Sequence, residues 1–447
     1  MRVITYGTFD LFHDGHRRLL ERARELGDYL IVAVTTENFD DARGKLNVQQ
    51  SLMDRISNVQ NSGLADEVII EEYEGQKIND IQKHAVDIFA IGSDWLGKFD
   101  YLNDYCKVVY LERTKGVSST ELRNESSGIL RIGVVGAGRI ANRFVDESHY
   151  VSGVDIEGVF SRTYDKAQHF ADSHELKFAA ETYEGLLDDV DSVYIATPHH
   201  THYEYAKRAI ERGIHVLCEK PMTLSVKESE ELFALANDNN VVLLEAIKTA
   251  FSPGFQRMVA VARSGSIGDI RSVDATFTKL TSGNLRELDE AQGGGSISEL
   301  ASYPLLAITK LLGTNYTDIR TSSFRPEESE VETFSRIDLT YPHAIASART
   351  GLGVKAEGDL VVGGTKGYIY VPAPWWKTEY FEARFEDQTN NKKFYYKFDG
   401  DGLRYEIAEF SSLIRRNETD TFKLRQTDSL AIAAIIESAR TSAQTFS

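Results

Sequence analysis

The sequence predicts an α/β protein of several domains: two parallel-sheet domains in series, then a third α/β domain built on a large, mostly antiparallel sheet. Three observations carry that expectation. The chain has 447 residues, more than one hydrophobic core absorbs, because single cores stop growing near ~250–300 residues. Strand-like and helix-like stretches alternate from residue 3 and again from residue 130, and such alternation implies parallel strands covered by helices. Beyond Arg271 the pattern changes to alternating, aromatic-rich strands at residues 272–278, 335–341 and 367–371, which suits antiparallel pairing.

Taken in order, the first domain (residues 1–123) holds strand-like runs at residues 3–6, 30–34, 67–70, 87–92 and 107–111, with an amphipathic stretch at 16–25. The polar residues 124–129 read as a linker. A second start follows, in which the apolar run 130–135 leads into Gly136-Ala137-Gly138 and opens a domain of residues 130–250. Residues 251–447 form the third domain, whose closing helix-like stretch at 429–439 is expected to pack back on the second.

Composition removes several function classes. A net charge of −18 repels nucleic acid and anionic membranes, which both need a basic face. No apolar run approaches the ~20 residues of a membrane helix, and the opening residues run straight into strand-like sequence, so a soluble, cytoplasmic protein is expected. Cys106 and Cys218 are the only cysteines, which excludes a disulfide framework and cysteine-based zinc sites. Any phosphate ligand must be held by local basic residues.

The first such place follows the strand VITY at once: Gly7-Thr8-Phe9-Asp10-Leu11-Phe12-His13-Asp14-Gly15-His16, then a helix. A helix N-terminus with a glycine-containing loop is a ready anion site. His13 and His16, split by Gly15, suit two imidazoles that donate hydrogen bonds to an α-phosphate during an in-line displacement. These residues resemble the HxGH nucleotidyltransferases, and among them the glycerol-3-phosphate cytidylyltransferases. The similarity extends through Ala65-Asp66-Glu67-Val68-Ile69, the run from Gly92 to Asp100, and the run from Arg113 to Thr120.

The resemblance implies a Rossmann-like domain that transfers CMP from CTP to a polyol phosphate, with loss of pyrophosphate and no covalent intermediate. It implies that Thr8 and Phe9 meet the phosphates through backbone amides and that His13 and His16 stabilise the α-phosphate. Lys45 and Arg55 would supply mobile positive charge, and Lys77 would meet the acceptor phosphate. Arg113 would frame the nucleotide, while Ser118 and Ser119 would open a helix toward the β- and γ-phosphates. Asp94, with Asp10, would orient substrate or help hold Mg²⁺ beside the triphosphate.

The second place is Gly136-Ala137-Gly138-Arg139-Ile140-Ala141, a GxGxxA loop between strand and helix that fits a dinucleotide pyrophosphate. The next strand ends in Ser161-Arg162 where an NAD-preferring site carries an acid, which favours NADP(H) over NAD(H). Further on come Thr197-Pro198-His199-His200-Thr201-His202 and Glu219-Lys220-Pro221. The spacing of these three elements resembles the glucose–fructose oxidoreductase, inositol dehydrogenase and dihydrodiol dehydrogenase group. That resemblance implies a NAD(P)-binding Rossmann domain followed by an α/β domain whose open sheet forms dimer contacts. Lys220 would relay a proton as hydride moves, and Tyr303 stands at the position of a second proton donor. Thr197, Pro198, His202 and Glu219 would line the cofactor. Glu299 and Ala301 stand where relatives carry aspartate and glycine, and Lys248 stands where an apolar or aromatic residue is common. Three histidines at 199, 200 and 202 fit no standard zinc spacing.

The expectation is a bifunctional dimeric enzyme. The reductase part makes a polyol phosphate from a keto or aldo sugar phosphate, and the transferase part activates it with CTP. The alternatives are reduction of the CDP-linked compound or of an unrelated sugar, or a second half that binds nucleotide without turnover.

Overall fold

A computed structural model describes residues 1–36, 39–40, 45–73, 75–112, 128–281, 283 and 286–446. Its strands form three sheets. The first comprises β1 (Arg2–Gly7), β2 (Tyr29–Thr35), β3 (Glu67–Glu71), β4 (Ile88–Gly92) and β5 (Lys107–Leu111), in the order β3-β2-β1-β4-β5. Every pairing in it is parallel. Because strand side chains alternate, the sheet carries two apolar faces. Val3, Leu30, Val32 and Ile88 pack with Leu20, Ala23 and Val59 on one side. Ile4, Tyr6, Ile31 and Phe89 pack with Ile81 and Leu102 on the other. Helices Asp14–Glu25 and Leu52–Asn61 therefore cover one face, and Gln76–Lys83 the other.

The second sheet comprises β6 (Leu130–Val135), β7 (Val154–Phe160), β8 (Phe178–Ala180), β9 (Ser192–Ile195), β10 (His215–Glu219) and β11 (Leu243–Ala246), in the order β11-β10-β9-β6-β7-β8. In each of these two sheets the first strand lies where the strand order reverses. Ligands of open α/β sheets bind outside the carboxyl end of such a strand. The loop after β1 carries the histidines, and the loop after β6 carries Gly136 and Gly138.

The third sheet comprises β12 (Ile270–Thr278), β13 (Asp318–Phe324), β14 (Phe334–Thr340), β15 (Ile345–Gly351), β16 (Leu360–Gly364), β17 (Gly367–Val371), β18 (Tyr380–Phe385), β19 (Lys392–Tyr395) and β20 (Gln444–Phe446). Its order is β19-β18-β17-β16-β12-β15-β14-β13-β20. It is mostly antiparallel, with parallel pairing only at β12–β15 and β13–β20. Val273, Ala275, Ile337, Ala348 and Val362 are buried. Helices Ser296–Leu300 and Ser302–Leu312 lie against β12, β14 and β15. The long helix Gln426–Ser442 packs on Ser302–Leu312 and on Val226–Asp238, with the Val226 amide 3.4 Å from Glu437 Oε2.

By compactness the chain divides into one unit of Met1–Gly133 with Asn142–Asp189 and another of Val134–Ala141 with Val190–Ser447. The division passes through the second sheet, and Leu46 pairs with Val151 inside the first unit. No helix among the described residues is long and apolar enough to cross a membrane.

Candidate active sites

In the first unit, β1 ends at Gly7 and the chain turns sharply. Phe9 and Leu11 take left-handed backbone angles, φ 53° and 48°, a conformation that costs non-glycine residues about 1–3 kcal/mol. The turn is held from beneath. The buried Phe9 ring lies under Gly7, where a Cβ would come within 2.9 Å of it. Leu11 N donates to Gln50 Oε1 at 2.8 Å.

His13 caps the helix Asp14–Glu25, its Nδ1 accepting from the Gly15 amide at 3.1 Å. That bond places the proton of the neutral ring on Nε2, leaving an N–H donor. The His13 and His16 ring centres are 3.9 Å apart. Burial first, then the His13 ring and the Lys45 ammonium, hold the His16 imidazole well below its usual range. Its buried Nδ1 has no hydrogen-bond partner. A neutral His16 imidazole and the His13 ring, together at a helix N-terminus, can donate hydrogen bonds to a phosphate.

The structure brings His13, His16 and Lys45 together, and Lys45 Nζ donates to His149 O at 2.6 Å. Asp94 Oδ2 lies 3.8 Å from His149 Nδ1. Thr8 Oγ1 donates to Asp40 Oδ1 at 3.0 Å.

Three expectations are corrected. Asp10 is built into the fold, each of its carboxylate oxygens accepting from a backbone amide, Gln49 N or Gln50 N, at 2.9 Å. Arg55 is not a mobile charge: it is wholly buried, donating to Gln50 O (3.1 Å), Thr8 O (2.9 Å) and Thr35 O (2.8 Å), with Asp40 at 3.5 Å. Such partners let a guanidinium remain charged in the interior. Lys77 is paired with Glu71 and sits 4.5 Å from the Tyr6 ring centre, so its charge is answered inside the domain. Arg113, Ser118 and Ser119 lie outside the described residues. Among those described, no cluster of three or more His, Cys, Asp or Glu residues can hold a metal ion.

In the second unit, the residues after β6 fit a dinucleotide. Gly136 has φ 105°, and a Cβ there would fall 2.6 Å from Ala196 O. A side chain at Gly138 would project into open space, the room that a pyrophosphate needs. Ala141, in the first turn of helix Arg139–Ser148, is fully buried. Ile140 is half-buried, and exposed Arg139 lies 3.4 Å from Glu287 Oε1. Ser161 and exposed Arg162 follow β7 and belong to the first unit.

Lys220 follows β10. Its Nζ donates to Glu299 O at 2.9 Å and stands 5.8 Å from the Tyr303 ring centre. Burial, then Glu219, Glu406 and Glu299, push the Tyr303 phenol well above its usual range, so it keeps its proton. Glu219 accepts from Tyr194 OH at 2.6 Å and from the Lys220 amide at 3.2 Å. Lys248 Nζ donates to Asp401 O at 2.6 Å, and burial lowers its pKa against Glu406 and Asp401.

Sequence reasoning missed Arg286. Its guanidinium grips both Glu299 oxygens, Nη1 to Oε1 at 3.0 Å and Nη2 to Oε2 at 3.2 Å. Buried His199 stands 3.6 Å from the same carboxylate. His202 is a correction: it is wholly buried and does not line the cofactor, its Nδ1 standing 3.0 Å from Pro221 O and its Nε2 2.8 Å from Thr197 O, of which the neutral ring donates to one. It thus ties the loop after β9, with Thr197 and Pro198, to the loop that carries Lys220. Burial pushes its pKa down to about 4.

Comparison with known proteins divides the chain between residues 125 and 130. Residues 4–125 match the cytidylyltransferase-like family. Residues 130–246 match the oxidoreductase family with an NAD-binding Rossmann fold, and residues 255–370 the GFO/IDH/MocA C-terminal domain. Glycerol-3-phosphate cytidylyltransferase of Bacillus spizizenii is 50% identical over 128 residues, 29% of this chain and 98% of that one. Pig trans-1,2-dihydrobenzene-1,2-diol dehydrogenase is 28% identical over 322 residues, 70% of this chain and 96% of that one. A 3-ketoreductase from Actinomadura kijaniata, solved with NADP and TDP-benzene, superposes with a TM-score of 0.65 at 24% identity, covering 71% of this chain and 99% of that one.

Proposed function

We propose a CDP-polyol synthesis for this chain, which belongs both to the cytidylyltransferase-like family and to the GFO/IDH/MocA oxidoreductases and is an enzyme with a nucleotidyltransferase part and a nicotinamide-dependent oxidoreductase part. The oxidoreductase part reduces a keto or aldo sugar phosphate to a polyol phosphate. The transferase part then joins that product to CMP from CTP and releases pyrophosphate. The observation that carries this reading is the 50% identity of the first 29% of the chain to a complete glycerol-3-phosphate cytidylyltransferase, ahead of an oxidoreductase.

In the transferase step, a phosphate oxygen of the polyol phosphate attacks the α-phosphorus of CTP in line, and the bond to pyrophosphate breaks. His13 and His16 donate N–H hydrogen bonds to the non-bridging oxygens, where charge builds. Thr8, Phe9 and the helix N-terminus cradle the phosphates, and Lys45 offsets part of the triphosphate charge; Mg²⁺ would arrive bound to CTP and supply further positive charge.

In the reductase step, Gly136, Gly138, Arg139 and Ile140 would hold the pyrophosphate of a nicotinamide dinucleotide, which would supply hydride. Ser161 and Arg162 favour NADP(H), as the 2′-phosphate needs a cation and no acid. Lys220 gives a proton to the substrate carbonyl oxygen, and the protonated Tyr303 phenol hydrogen-bonds the same oxygen. Lys248 offers a cation to the substrate phosphate.

The test supplies CTP, Mg²⁺ and NADPH with dihydroxyacetone phosphate, ribulose 5-phosphate or fructose 6-phosphate and weighs the product. A CDP-polyol supports the reading. Oxidation of NADPH only after a CDP adduct is supplied would reverse the order of the steps, and no oxidation with any substrate would favour a second half that binds without turnover.

A further inference from the structure

The segment between helix Arg139–Ser148 and β7 grips two stretches of the first domain. The Leu46 amide donates to Tyr150 O at 2.7 Å and the Ser152 amide to Leu46 O at 2.8 Å, the bonds of a short parallel pairing around Val151. Adjacent Lys45 donates from Nζ to His149 O at 2.6 Å. Tyr150 reaches the second stretch: its hydroxyl accepts from Lys98 Nζ at 2.9 Å, and its ring meets Trp95 edge-on at 5.8 Å. The Lys98 ammonium lies 4.9 Å from the Trp95 ring centre and 5.4 Å from that of Tyr150. His149 stands 3.8 Å from Asp94, and Glu175 accepts from Ser93 Oγ. Val151 and Ser152 are buried.

We propose that His149, Tyr150, Val151 and Ser152 are a positioning element for cytidylyl transfer, contributed by sequence beyond the cytidylyltransferase match, which fixes Lys45 and the loop of residues 93–98 for the nucleotide. The inference rests on reading the first domain as a CTP site. Lysine is a charge on a four-carbon stem, and ordering that stem opposes ligand binding. Anchoring Leu46 in a backbone pairing and Lys45 on a carbonyl pays part of that ordering before CTP arrives. The triphosphate then exchanges with the His149 carbonyl as acceptor. Lys45 is already close enough to depress the His16 imidazole, so its position bears on the reacting phosphate. The Bacillus relative aligns over 128 residues, 98% of its length, and so ends without this segment.

The test is steady-state pyrophosphate release by the full chain with CTP and glycerol 3-phosphate. Tyr150→Ala should raise the KM for CTP about tenfold through loss of the aromatic and cation–π contacts, with kcat within about twofold. Tyr150→Phe, which keeps the ring, should recover most of that loss, and Lys98→Met should give a smaller rise of about threefold. These shifts should come with a melting temperature lowered by no more than a few degrees and with NADPH oxidation unchanged. An unchanged KM for CTP in Tyr150→Ala or Lys98→Met overturns the proposal, as does a joint loss of kcat, KM and melting temperature that Tyr150→Phe shares. A wild-type chain that neither binds CTP nor releases pyrophosphate overturns the CTP reading itself, and the proposal with it.

Discussion

Replacing Gly15 with alanine separates catalysis from stability at the transferase site. Gly15 is the second residue of helix Asp14–Glu25, where alanine favours the helix by up to about 1 kcal/mol over glycine. A Cβ at this position would sit 2.8 Å from His13 Cε1 and 2.9 Å from His13 Nδ1. Ordinary carbon contacts begin near ~3.5 Å, so the ring must retreat by about 0.7 Å. It must do so beside the His16 ring, 3.9 Å away between centres, and while breaking its bond to the Gly15 amide. A displacement of that size at a reacting centre costs roughly 10²-fold in rate. Because the helix gain and the lost His13 cap are each about 1 kcal/mol, Gly15→Ala should melt within a few degrees of wild type while pyrophosphate release falls about a hundredfold and NADPH oxidation is unaffected. Transfer within threefold of wild type would refute the argument that this glycine exists to let the two imidazoles stack.

Three further outcomes follow from the geometry. Arg55→Met should destabilise the first unit by about 3–5 kcal/mol, as expected when one partner leaves a buried ionic cluster, whereas a mobile phosphate-binding arginine would leave its melting curve unchanged and raise only the KM for CTP. Lys220→Met should lower NADPH oxidation by about 10²–10⁴-fold and spare pyrophosphate release, while His16→Ala should do the reverse; loss of both activities in either variant contradicts independent centres. His202 has a folded pKa of about 4, below its unfolded value near ~6.5, so between those values the unfolded state binds more protons. Its contribution to stability is complete above pH ~6.5 and falls as pH drops toward 4, by about 3 kcal/mol in all, and urea titrations of wild type and His202→Gln across that window should converge at the acid end.

The five strands of the first sheet were legible because their apolar residues run in short continuous stretches, whereas of the nine strands of the third sheet only β12, β14 and β17 showed the alternating pattern. The two loops at the switch points were legible because glycine and histidine at those spacings have few uses. Burial of charge was not. Arg55 reads as one more exposed cation, since its acceptors Thr8, Thr35 and Gln50 come from three segments that meet only in the fold. Asp10 looked like a metal ligand for the same reason: the amides that occupy it lie 39 and 40 residues away. His202 reads as a cofactor-lining residue, but its ring is buried between the Pro221 and Thr197 carbonyls. Arg286 stands in a polar stretch without periodicity, and the single hint was Glu299, a longer acid than relatives carry. Tyr194 reads as a core aromatic on a strand until Glu219 is seen beneath its hydroxyl.

The most direct test of two cooperating centres uses NADPH carrying deuterium at the transferable position, with CTP, Mg²⁺ and a keto-sugar phosphate, followed by mass spectrometry of the nucleotide product. The expected result is a CDP-polyol bearing one deuterium, formed by the wild-type chain and by an equimolar mixture of Lys220→Met and His16→Ala chains but by neither variant alone. A CDP adduct of the unreduced sugar as the sole nucleotide product, or a deuterated polyol phosphate that never acquires CMP, would contradict the account.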